Sequence, residues 1–172
     1  MNLLAPPAIL PRPNRVRVGT TALEAEALSC VAGHRVLLVE DDHAVRLVCG
    51  MLMADMGLVV EESTNGRDAW SRNIGHASYG LVLTDNHLPG LTGLELARRV
   101  QAAACMVPIV LMSSLLTPAD VLLARQYGVR ALLPKPFMAG ELLEAISHAL
   151  NCPSPKLPQV DLQRNPSRAI LL

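Results

Sequence analysis

Glu40, Asp41 and Asp85 are the residues of this chain best placed for chemistry, because each stands at the end of a hydrophobic run. The runs are VLLVEDD at 36–42 and LVLTD at 81–85, while a third, LLPKP at 132–136, closes on Lys135 and Pro136. A fourth, PIVLMSS at 108–114, ends in hydroxyls, and its spacing from Pro108 favours Ser113 over the adjacent Ser114. Continuous apolar runs are the pattern of parallel strands buried on both faces, and in open α/β sheets ligands bind in the crevice at the strands' carboxyl ends. The three acids, the lysine and the hydroxyl therefore share one edge of one sheet.

Three carboxylates within a few ångströms repel one another and take up protons unless a cation intervenes. Hard oxygen donors suit Mg2+, which accepts one or two protein carboxylates, keeps several waters and leaves room for phosphate oxygens. Lys135 adds a point positive charge and Ser113 a hydroxyl donor, both useful around a transferring phosphoryl group. The combination is that of a site for an acyl phosphate on an aspartate.

The elements that must hold these groups alternate along the chain. Thr21-Ala-Leu-Glu24 reads as a capping box opening a short helix, α1, over 22–30. The run at 36–42 gives β1, and Asp42 is placed to cap α2 (43–56), in which Val45, Val48, Leu52 and Met56 recur near helical spacing up to Gly57. LVVEE at 58–62 gives β2, Asn65-Gly66 a turn, and a weaker helix, α3, runs to Ile74. Then follow β3 (81–85), α4 (92–103), β4 (108–114), α5 from the Thr117-Pro118 cap, β5 (132–136) and α6 (139–150). Strands alternating with helices imply an α/β, doubly wound (βα)5 flavodoxin-like fold with a five-stranded parallel sheet in the order 2-1-3-4-5.

Over residues 34–150 this pattern resembles the receiver domain of two-component response regulators. In that family an acidic pair follows β1, the phosphoacceptor aspartate ends β3, a serine or threonine ends β4, and a Lys-Pro pair follows β5; DNHLPGLTGLEL at 85–96 also matches its D-x-x-x-P-x-x-x-G loop. By position, the resemblance implies Asp85 as phosphoacceptor; Glu40, Asp41, Asp85 and the backbone carbonyl of His87 around Mg2+; and Ser113, Lys135 and Pro136 about the phosphoryl group. It implies His87 and Leu115 as the side chains that tune dephosphorylation. It also places Leu132 where the family carries a switching aromatic residue. The implied partners are a histidine kinase or histidine phosphotransfer protein and a downstream protein, with room for a homodimer through the face the family numbers α4-β5-α5, here α5, β5 and α6. The expected function is that of a stand-alone receiver signalling through protein contacts.

Two other functions share parts of this pattern. Haloacid-dehalogenase-like phosphatases also use a strand-end aspartate with Mg2+, but their D-x-D motif needs an acid where His87 stands. A phosphorylation-independent receiver-like interaction module is expected when site residues are lost, and here they are all present. The expectation is thus a signalling protein with at most intrinsic autophosphorylation and autodephosphorylation, and no enzyme in the usual sense.

Composition agrees. The 172 residues carry 15 Lys plus Arg against 15 Asp plus Glu, which gives no hint of nucleic-acid or membrane binding, and 51% hydrophobic residues suffice for a sheet covered on both faces. No apolar run approaches the roughly 20 residues of a membrane helix, and MNLLAPPAILPRP lacks a basic start, so a cytoplasmic location is expected. Cys30, Cys49, Cys105 and Cys152 are scattered and form no CxxC pair, so reduced thiols are expected. His34, His43, His76 and His148 read as solvated side chains. Residues 1–33 read as an extension, flexible apart from α1, and the proline-containing 151–172 as a disordered tail.

Overall fold

The computed structural model describes residues 21–72, 74, 79–153 and 169–172. The expectations for residues 1–20, His76 and most of the tail lie outside them. Five parallel strands, β1 (Arg35–Val39), β2 (Val59–Ser63), β3 (Leu81–Asp85), β4 (Ile109–Ser113) and β5 (Ala131–Pro134), form one sheet in the expected order 2-1-3-4-5. A sixth strand, β6 (Ile170–Leu171), adds antiparallel to the outer edge of β5. The sheet is thus one strand wider than the sequence led us to expect, and the end of the proline-containing tail is part of it. A two-residue ladder is too short to leave a period-two signature.

The central strands separate the two cores by simple alternation. Leu38, Leu83, Met112 and Leu133 face one core, closed by α1 (Ala22–Val31), α2 (His43–Asp55) and α6 (Ala139–Ala149). Their neighbours Leu37, Val82, Leu111 and Leu132 face the other, closed by α3 (Gly66–Ser71), α4 (Gly93–Ala102) and α5 (Pro118–Gln126). Every residue of β3 and β4 is buried, which is why these strands read as unbroken apolar runs.

The helix starts follow local chemistry. Thr21 with Glu24, Thr92 with Glu95 and Thr117 with Asp120 are reciprocal capping boxes at α1, α4 and α5, and Asp42 accepts from the Val45 amide to cap α2. The apolar residues that recur along α2 do not all face the core. Cys49 and Met53 are its fully buried residues, whereas Val48 is 55% exposed and lines up with Leu47 and Met51 on an outward apolar face.

The N-terminal helix is not a loose extension. Ala27 and Val31 are buried against the core shared with α6, and Cys30 forms a disulfide with Cys152 just past the end of α6. This overturns the expectation of four reduced thiols. The two cysteines are 122 residues apart, and only the packing of α1 on α6 brings them together. Cys49 and Cys105 are free.

Candidate functional site

The carboxyl ends of β1, β3 and β5 bring the predicted charges to one point. Carboxylate oxygens of Glu40, Asp41 and Asp85 all lie within 4.8 Å of one another. The Lys135 ammonium sits between two of them, 2.6 Å from Glu40 Oε2 and 2.9 Å from Asp85 Oδ1. Glu40 and Asp85 are buried, whereas Asp41 is exposed at the mouth. Burial pushes the Glu40 carboxyl above its ordinary range, and the Lys135 ammonium offsets only part of that shift. Burial acts on Lys135 in the opposite sense, but its bonds to the two acids outweigh it and hold the ammonium above its usual pKa. Three carboxylates against one ammonium leave excess negative charge at the cleft. An oxygen-only donor set of this kind, open on one side, fits a hard divalent cation.

The loops beneath these groups are fixed by contacts of their own. The second oxygen of Asp85 accepts from the His87 amide at 2.9 Å, which orients the carboxylate. Gly93 is compelled by space: a Cβ there would lie 2.4 Å from the Asp85 carbonyl oxygen and 2.5 Å from Leu111 Cδ1. The start of α4 therefore packs directly beneath the aspartate, which accounts for the glycine eight residues after it.

Two residues that hold the site escaped the sequence reading. Arg46 donates from Nη1 to the carbonyls of Glu40 at 2.9 Å and Asp41 at 3.2 Å, and its Nε pairs with Glu62 at 3.1 Å. It pins the acidic turn between β1 and α2 to β2. Asn86 is buried, and its side-chain oxygen accepts from the Leu94 amide at 3.2 Å, joining the Asp85 loop to α4.

The hydroxyl of Ser113 lies at the same edge but is engaged elsewhere. It donates to the Leu115 carbonyl at 2.7 Å and accepts from the Leu115 amide at 3.2 Å, with His87 Nδ1 3.5 Å away. Ser114, its competitor in the sequence, is exposed. The Leu115 side chain is 66% exposed, and His87 is exposed on the other flank. Pro136 follows Lys135 across a cis peptide bond. Leu132 is fully buried in the second core, opposite Ile170 of β6.

A family model for the response regulator receiver domain matches residues 36–147, the stretch that holds every one of these groups. The chain belongs to the receiver family. Among curated relatives, the receiver is 36% identical over 120 residues to a gliding motility regulatory protein of Myxococcus xanthus, covering 68% of this chain and 15% of that one. It is 31% identical over 128 residues to the response regulator RppA of Synechocystis, covering 73% of this chain and 54% of the relative. The chain thus spans only part of the length of these relatives. Among solved structures, the chemotaxis protein CheY4 of Vibrio cholerae shares 26% identity at a TM-score of 0.64, over 69% of this chain and 100% of that one. The receiver domain of the Pseudomonas aeruginosa sensor histidine kinase PA1611, solved with a magnesium ion coordinated in its active-site cleft, shares 28% at 0.62, over 70% of this chain and 99% of that one. The fold expected from the alternating strands and helices is the fold these receivers share.

Proposed function

We propose that this receiver accepts a phosphoryl group on Asp85 from the phosphohistidine of a histidine kinase or histidine phosphotransfer protein, in a Mg2+-dependent reaction, and passes the signal on through protein contacts. The observation that carries this reading is the Lys135 ammonium held between Glu40 and Asp85 at the mouth of a cleft with excess negative charge. In the transfer, the P–N bond of the donor breaks as a P–O bond forms to an Asp85 carboxylate oxygen, and the imidazole leaves with the electron pair. The carboxylates of Asp41 and Asp85, the His87 main-chain carbonyl and, through water, Glu40 are the groups that would hold Mg2+, whose charge neutralises the phosphoryl oxygens. Lys135 then exchanges one carboxylate oxygen for a phosphoryl oxygen, and Ser113 leaves the Leu115 carbonyl to donate to another. Pro136 shapes the turn that presents Lys135.

The donor has a surface to land on. Beside the cleft lies a groove of about 560 Å³ lined by Val45, Val48, Leu52, Lys135, Pro136 and Phe137, and Leu47 and Met51 of α2 are exposed as well. We assign it to an apolar helix face flanking the donor's histidine, since Lys135 forms part of both groove and site. The reading includes a cytoplasmic location, because a phosphohistidine donor draws its phosphoryl group from ATP. Among the described residues no helix is long and apolar enough to cross a membrane.

Incubation with acetyl phosphate and Mg2+, followed by intact-mass measurement, tests the proposal. One phosphate should add to the wild type and none to Asp85→Asn or to a sample held in chelator. Equal labelling of Asp85→Asn and wild type would remove the assignment. Multiple turnover of a small phosphate ester would favour the hydrolase reading instead.

A further inference from the structure

The outer edge of β5 is where this chain departs most from a bare five-stranded sheet. An uncovered edge strand presents a row of free N–H and C=O groups that another chain can pair with. Here β6 covers it. Leu171 lies opposite Ala131 and Ile170 opposite Leu132, and the Leu172 amide donates to the Arg130 carbonyl at 2.9 Å. The side chains divide between the two faces of the sheet. Ile170 and Leu172 pack against the core of Leu111 and Leu132, Ala169 packs against the core of Leu133 and Ile146, and Leu171 points outward at 37% exposure. Leu116, Val121 and Tyr127, from α5 and its flanks, border the same core as Ile170 and Leu172. The segment therefore sits on the side of the molecule formed by α5, β5 and α6.

We propose that the outer edge of β5 is an interaction surface for a short, extended, apolar segment, and that its occupant is this chain's own Ala169–Leu172, seated so as to exclude a second copy of the chain from the same edge. Strand addition draws its affinity from main-chain hydrogen bonds and its selectivity from sockets for alternate side chains. A ladder of two residues supplies few of the former. The seat of Ile170 therefore sets the affinity, and the occupant is exchangeable. A homodimer through α5, β5 and α6 then requires β6 to leave.

The test uses full-length protein carrying Ile170→Asp, with Leu171→Asp as the outward-facing control. Hydrogen–deuterium exchange of the β5 segment 129–134 should speed up several-fold in Ile170→Asp and stay near wild type in Leu171→Asp, with β1 and β3 unchanged in both. Adding the free peptide Ser-Arg-Ala-Ile-Leu-Leu to Ile170→Asp should restore the protection. Sedimentation velocity should show a larger dimer fraction for Ile170→Asp than for wild type. Unchanged exchange at β5, or no binding of the peptide, overturns the docking edge; an opened edge in a protein that stays monomeric overturns the exclusion of a second copy. Should the aspartate unfold the domain, Ile170→Ala, which only empties the seat, is expected to give the same changes at smaller amplitude, and wild-type exchange in that variant overturns the proposal.

Discussion

Asp41 and Glu40 are adjacent in sequence yet face different physics. Asp41 is exposed at the mouth, while Glu40 is 2% exposed and already bonded to Lys135. A direct ligand supplies both charge and geometry, whereas a water-mediated contact tunes them. Asp41→Ala should therefore weaken Mg2+ binding, measured by calorimetry, about tenfold more than Glu40→Gln does; equal losses would sink the division of labour. On the opposite flank, Leu115 is exposed, and we propose that its apolar side chain offers an attacking water no hydrogen bond and hinders its approach. Leu115→Asn should shorten the lifetime of phosphorylated Asp85 by a few-fold to about tenfold, which is roughly 1.4 kcal/mol of barrier. Decay followed by intact mass checks this, and fast wild-type decay abolished by His87→Ala would instead make His87 the base. The charged groups were legible in the sequence because charge at the end of an apolar run is conspicuous. Arg46 was not, since it acts on main-chain carbonyls, which every residue carries and which leave no mark of type.

At the scale of elements, the join between β3 and α4 is the most constrained piece of the site. Gly93→Ala forces a methyl group against the Asp85 carbonyl and Leu111, and neither backbone nor packed core can yield cheaply. We expect a loss of about 1 to 3 kcal/mol in urea denaturation, the usual range for overpacking, together with slower phosphorylation because the aspartate itself is displaced. A variant as stable and as readily phosphorylated as wild type would show that the loop adapts. The helix start at Thr21 was readable because a capping box spans four residues and uses a distinctive pair of side chains, and that at Thr117 because the threonine precedes Pro118. The outward orientation of Val48 was not readable, for a different reason. Helical spacing states which residues share a face, not whether that face meets the core or a partner.

The whole molecule is closed by one bond the sequence did not disclose. Cysteine spacing carries no pairing information, and Cys30 and Cys152 meet only where α1 packs on α6. A closed loop of this size restricts the unfolded chain strongly, so reduction, or Cys30→Ser, should cost about 2 to 5 kcal/mol of stability in urea denaturation. Identical midpoints with and without dithiothreitol would show that the packing of α1 on α6 suffices alone.

The same bond decides how the molecule responds to being pulled. β1 to β5, α2 to α6 and all four charges of the site lie within the ring that Cys30 and Cys152 close, whereas most of α1 and all of β6 lie outside it. Tension applied through the flanking segments crosses from sulfur to sulfur and leaves the sheet slack. β6 would peel and the first turns of α1 would unwind while the cleft around Asp85 kept its shape. Once the bridge is reduced, the same load runs through every strand of the sheet. Oxidation thus makes this domain a fixed knot in a tether, and reduction makes it an extensible one.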